Sequence, residues 1–206
     1  MTPTARDVVL ARLRTALDGA TPLPPHPRTY DRAELVGASD VNRFASAVEE
    51  YRARVHRTNP EDVRATIESL VGGRAHVVPH DLPTDWLPVG HVVDPPLAPL
   101  APLELDALEA VVTGALLGIA ATGTIVLDAG PGQGRRALTL VPDHHVCVLT
   151  EEQVVDTVPQ AVARLDPGRP ITFVSGPSAT SDIELQRVEG VHGPRRLDVV
   201  LVGRRR

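Results

Sequence analysis

A chain of 206 residues fits one domain with an N-terminal extension, and only 2% of it is aromatic, so Val, Leu, Ala and Ile must fill the core. The net charge of −5 argues against broad attraction to nucleic acid or to an anionic membrane surface. All 21 basic residues are Arg, which excludes a lysine Schiff base, a lysine general base and a Walker-type phosphate loop; the single Cys147 excludes an internal disulfide and a self-contained cysteine-ligated cluster.

Thr4-Ala-Arg-Asp7 has the form of a helix cap, and Val9, Leu13 and Leu17 then recur on one stripe of a helix ending near Leu17. Charges run through this segment and no apolar signal core interrupts them, so the expectation is a cytoplasmic protein. Gly19–Pro27 holds four prolines and reads as an extended linker. Val41, Phe44, Ala45, Val48, Tyr51 and Val55 repeat at helical spacing, which predicts a helix over Asp40–Arg57. Asn59-Pro60-Glu61-Asp62 opens a third helix, closed by Gly72-Gly73. Residues 1–58 thus form an N-terminal helical extension, and 59–206 an α/β domain.

Strands are predicted at Arg74–Val78 and Gly90–Val93, the latter inside the proline-rich stretch Pro79–Pro102. Ala110–Leu127 is an uncharged run of 18 residues, the lower limit for a membrane span. Its glycines, threonines and β-branched edges favour buried strands instead: Ala110–Thr113, a short helix near Gly114–Ala120, then Thr124–Asp128. Further strands follow at Ala137–Val141 and His145–Leu149. Thr150-Glu-Glu-Gln153 is a capping box that predicts a helix carrying Val154, Val155 and Val158, kinked or split at Pro159. Ile171–Val174 is a strand, Ser181–Glu189 a short helix and Leu197–Val202 a closing strand. The alternation gives an α/β fold, a mostly parallel sheet flanked by helices.

Two loops could carry chemistry. Gly130-Pro-Gly-Gln-Gly-Arg-Arg136 resembles a nucleotide fingerprint, but a dinucleotide loop leads from strand into helix, and a strand is expected here after Arg136. It reads either as a wide turn needing glycine for positive φ, or as an anion site built on Gly132, Gly134 and the guanidinium of Arg135 or Arg136. Ser175–Glu184 follows a strand and ends in the capping box Ser181-Asp182-Ile183-Glu184. Ser178, Thr180 and Ser181 would gather hydroxyls and free amides at a helix N-terminus, where anionic groups are favoured, or would merely satisfy the turn. Asp182 would repel such an anion. His144 and His145 must face opposite sides of a strand, and the histidine spacing supplies no recognised metal set, so no metal is expected. His192, just beyond the loop, is the best candidate for a titrating group; Ser178 or Ser181 with His192 and Asp182 is not an ordered triad on spacing alone.

The runs GIAATGTIVLDAGPGQGRRALTLVPDHH and SGPSATSDIELQRVEGVHGPRRLDVVLV, Gly118–His145 and Ser175–Val202, closely resemble the LUD-domain family, in its lactate-utilisation protein C branch. The likeness extends over the whole chain. It implies a fold like the NagB/RpiA/CoA-transferase group. It also implies an accessory, non-redox role, without a cofactor of its own, beside iron–sulfur partner proteins in oxidising L-lactate to pyruvate. An independent enzyme acting on a small anionic, CoA- or nucleotide-linked substrate is the alternative, and a regulatory or structural subunit with a vestigial pocket is a third. The family's Ile-Ala-x-Thr-Gly motif commonly carries an acid where this chain has Ala121, next to the candidate ligand residues Thr122, Gly123 and Thr124. A small anionic ligand is expected; nucleic acid and membrane insertion are not.

Overall fold

The computed structural model describes residues 4–19, 39–180, 188–189 and 193–204, with 179–180 and 188–189 described by backbone alone. The chain divides into two compact units, residues 1–31 and 32–206. In the first, helix α1 (Ala5–Leu17) begins at the predicted cap: Asp7 N donates to Thr4 Oγ1 at 3.3 Å, and Thr4 N donates to Asp7 Oδ2 at 3.0 Å.

The second unit runs α2 (Val41–Glu50), β1 (Arg54–Thr58), α3 (Val63–Val71), β2 (His76–Pro79), β3 (Val92–Asp94), α4 (Pro102–Asp106) and β4 (Ala110–Gly114). Then come β5 (Leu117–Ile119), β6 (Thr124–Leu127), β7 (His144–Thr150), β8 (Val154–Val155), α5 (Val158–Val162), β9 (Thr172–Val174), β10 (Ala179–Thr180), β11 (Val188–Glu189) and β12 (Arg196–Val202). Six strands form one parallel sheet in the order β1-β12-β7-β4-β2-β3. A second, mixed sheet has the order β8-β5-β6-β9. The long links from β4 to β7 and from β7 to β12 thus carry its strands.

Both faces of the parallel sheet are covered, which is why β4 is buried throughout and β7 is buried up to Leu149, with an apolar run at Val146–Leu149. On one face Val63, Ile67, Leu70 and Val71 of α3 pack on Val78, Val112, Val146, Val148 and Val200. On the other, Cys147, Leu149, Val199 and Leu201 meet Phe44 and Val48 of α2 with Ile125 and Leu127 of the second sheet. Beyond that sheet Ala161 of α5 closes a smaller core with Leu117, Ile119, Val126 and Val155.

Several predicted elements are corrected. The helix expected to Arg57 ends at Glu50; Arg52 takes φ +65°, and the chain turns into β1, where Val55 packs on the sheet core rather than on a helix stripe. No helix forms at Gly114–Ala120, because Leu117–Ile119 pairs with both β6 and β8. The expected strand Ala137–Val141 is one 3-10 turn, Arg136–Thr139, with Leu138 alone driven fully inward against Val77, Leu105 and Val111. The Thr150 capping box is present but closes only a 3-10 turn; Val154 and Val155 pair with β5, and Pro159 opens α5 instead of kinking it. Val188–Glu189, expected in a helix, is a strand antiparallel to Ala179–Thr180. Ala110–Leu127 is β4, β5 and β6, and among the described residues no helix is long and apolar enough to cross a membrane.

Candidate functional site

Neighbouring strands β2 and β4 send their onward connections in opposite directions, β2 to the edge strand β3 and β4 to β7. Open α/β sheets bind ligands outside the carboxyl ends of strands at such a reversal. Here the place holds a crevice of about 510 Å³ lined by His80, Asp81, Asp94, Gly130, Arg135 and Arg169. A smaller hollow of about 130 Å³ adjoins it at Asp81, between Trp86, Gly114 and Gln153.

The glycine loop roofs this edge and is tightly built. Gly114 N donates to Gly132 O at 2.7 Å. Buried Asp128 accepts from Gly130 N at 3.0 Å and from Gln133 Nε2 at 2.8 Å, while Gln133 Oε1 accepts from Asp128 N at 2.8 Å. Ala129 at φ +54° and Gly132 and Gly134 at φ +69° and +67° make the turn. At Gly134 glycine is required twice, since an added Cβ would also stand 2.5 Å from Leu138 Cδ1.

The charges of the crevice are spent on each other. Arg135 grips buried Asp94 through Nε–Oδ2 at 2.8 Å and Nη2–Oδ1 at 3.1 Å, and also donates to Leu100 O. Burial alone would raise the Asp94 carboxyl, but Arg135 and the Leu100 amide outweigh it and hold it below the ordinary range. Arg169 lies 3.2 Å from Asp128 Oδ2.

A second cleft, of about 320 Å³, lies at the amino ends of the strands, against the second residues of β7 and β12, His145 and Leu197. Its other wall is the end of β9 and the loop after it, with Arg136, Thr172, Ser175 and Ser178. Ser175–Ser178 does follow a strand, as expected, but that strand belongs to the smaller sheet. Thr122, Thr124 and Ser175 form a hydroxyl chain at 2.7 and 2.8 Å. Gly123, at φ +58°, gives room to the backbone of α2: a Cβ would meet Ala47 C at 2.5 Å. Ala121 is exposed in the same turn and lines neither cleft.

His144 and His145 face opposite sides, as strand geometry demands. His144 Nε2 donates to Asp198 at 2.6 Å, and the fully buried Asp198 also accepts from His56 at 2.7 Å and Arg196 at 2.6 Å. Burial opposes its ionisation, but these three donors win and push the carboxyl far below its usual range. Burial lowers His144, against the pull of Asp198. His145 bonds Thr113 and is pushed down to about 3 by burial, with His144 adding to the effect. Cys147 is buried and its thiol rises to about 12, again from burial, which keeps it protonated. Among the described residues no group of three or more His, Cys, Asp or Glu could hold a metal ion.

The predicted candidates therefore separate. Gly134 and Arg135 meet at the carboxyl-edge crevice and Gly132 lines the smaller hollow beside it; Ser178 lines the amino-end cleft, which the hydroxyl chain of Thr122 and Thr124 reaches through Ser175. Thr180 is in β10. Ser181, Asp182, Glu184 and His192 lie outside the described residues. Sequence reasoning missed His80, Asp81, Asp94 and Arg169; the first three directly follow or end short strands, and that position was the available signal.

A sequence model described as the LUD domain matches residues 103–202. The chain is 43% identical to lactate utilization protein C of Deinococcus radiodurans, over 98% of this chain and 97% of that protein. It is 40% identical to lactate utilization protein C of Bacillus pumilus over 41% of this chain and 38% of that one. The crystal structure of a DUF162 family protein from Deinococcus radiodurans superposes with a TM-score of 0.67 at 38% identity, covering 84% of this chain and 99% of that one.

Proposed function

The chain belongs to the LUD-domain family, and from that premise we propose that it serves lactate utilisation as an accessory, non-redox component acting with iron–sulfur partner proteins in oxidation of L-lactate to pyruvate. The observation that carries the reading is the near full-length identity to a protein named for lactate utilisation. The single thiol supports the non-redox part: it is buried and held protonated, and one cysteine does not make a cluster site, so any cysteine-ligated cluster of the system would have to be carried by a partner.

Deletion of the gene tests the role. Growth on L-lactate as sole carbon source should stop while growth on pyruvate continues, and the tagged protein should copurify with an iron–sulfur protein. Undiminished growth of the deletion strain on L-lactate would overturn the proposal. The alternative of an independent enzyme on a small anionic substrate draws on the amino-end cleft; turnover of such a substrate by the isolated chain would favour it.

A further inference from the structure

The amino-end cleft holds two groups with hydrogen-bonding capacity left over among the described residues. The first is Arg136, an exposed guanidinium whose one side-chain hydrogen bond among the described residues is to Thr172 Oγ1 at 3.0 Å. It has no carboxylate partner among the described residues, and none of the described residues lining the cleft is acidic. The two arginines that line the carboxyl-edge crevice, Arg135 and Arg169, are each paired with an aspartate.

The second is the imidazole of His145, only 2% exposed. Thr113 has one hydroxyl proton, and it goes to Gly114 O at 2.9 Å. The 2.8 Å contact between Thr113 Oγ1 and His145 Nε2 is then donated by the histidine, which fixes the Nε2–H tautomer. Nδ1 is left as a bare lone pair. It has no partner among the described residues, yet it is not one of the two shut-in orphan atoms, His76 Nε2 and His144 Nδ1. His145 itself lines the cleft. Burial keeps the ring neutral, so the lone pair stays available across the physiological range.

We propose that this cleft binds a small carboxylate bearing an adjacent hydroxyl, with Arg136 taking the carboxylate and His145 Nδ1 accepting the hydroxyl proton. A permanent cation and a neutral acceptor suit an anion that is also a donor; Ser175 and Ser178 add hydroxyls to the wall. A volume of about 320 Å³ is at the small end for ligand sites, which run from roughly 300 to 1,000 Å³. The site rests on this geometry; the choice of L-lactate as its first probe rests on the proposed role in lactate utilisation.

Calorimetric titration of the purified chain with L-lactate, pyruvate, propionate and inorganic phosphate tests it. L-lactate should bind, and propionate, which lacks the hydroxyl, should bind about tenfold more weakly or less, because His145 Nδ1 is then left unpaired. Arg136→Gln should weaken L-lactate about tenfold or more. Because His145 is buried and its substitution could unfold the chain, its part is read in the unmutated protein: the Nδ1 resonance of 15N-labelled His145 should shift on L-lactate addition while Nε2 stays protonated. No heat with any of the acids, an unchanged affinity in Arg136→Gln, or a stationary Nδ1 at saturation would each overturn the site. A deletion strain that fails on L-lactate while the chain binds none of the acids would retire the site alone; binding by the chain with undiminished growth of the deletion strain would support the site and retire the role.

Discussion

The two clefts of this molecule are built on opposite principles. The crevice at the carboxyl edge has the position where α/β sheets bind ligands, a glycine-rich roof and two arginines, but those arginines are committed to Asp94 and Asp128. The amino-end cleft has a less familiar position, an arginine with no carboxylate partner among the described residues and an imidazole lone pair with no partner among them. Position on a fold and availability of charge are thus separate criteria. Here the first marks a structural clasp, and the second marks the place with binding capacity to spare.

That contrast breaks if the crevice tolerates loss of its charges. Asp94→Asn should be the most damaging single change, because it leaves the Arg135 guanidinium half-buried without its carboxylate; the expected loss is about 3 kcal/mol in urea unfolding. A variant with unchanged midpoint would mean that the pair is ornamental and the crevice open to other uses.

Acid should expose the other side. His145 is depressed from 6.5 to about 3, so between those values the unfolded chain binds a proton that the folded chain refuses. Its contribution is therefore complete above about pH 6.5 and shrinks as pH falls toward 3, at about 1.4 kcal/mol per unit at most. Asp198 behaves likewise lower down: its carboxyl is depressed, so its stabilisation is present above the ordinary carboxylate range and fades as pH drops through and below it. Stability measured from pH 7 to 3 should fall steadily, and the imidazole resonances of His145 should show no protonation above pH 5. Titration of His145 near 6.5 would contradict its burial.

Gly134→Ala should cost about 1–3 kcal/mol, combining a left-handed backbone with a Cβ too close to Leu138. Arg136→Gln should sit at the bottom of the scale, within about 0.5 kcal/mol, since Arg136 is exposed and holds one hydroxyl. A large loss there would make Arg136 a structural residue and remove the distinction between the clefts.

The long buried strands were legible. Ala110–Thr113, His145–Leu149 and Leu197–Val202 read as strands, and β4, β7 and β12 contain them, because both faces are covered and these runs are largely apolar. In the second sheet Thr124–Asp128 and Ile171–Val174 also read as strands, but its other two did not, because Leu117–Ile119 and Val154–Val155 are two or three residues long and take strand geometry from their pairing, the first with both β6 and β8. Val55 fell on the helical period of Phe44 and Val48 by coincidence of register, while Arg52 at positive φ had already ended the helix. The glycine loop was discounted because Ala137–Val141 alternates like a strand; only Leu138 is fully inward. What no pattern could give was pairing. Arg135 and Arg136 are adjacent and chemically identical, and it takes Asp94, 41 residues earlier, to make one a clasp, while the other has no carboxylate partner among the described residues.

The most direct test of this account is diffraction from crystals soaked in L-lactate. It predicts density in the amino-end cleft, the carboxylate against Arg136 and the hydroxyl against His145 Nδ1, with the Asp94–Arg135 pair undisturbed. Density at the carboxyl-edge crevice, with Arg135 or Arg169 released from its aspartate to meet the ligand, would contradict it.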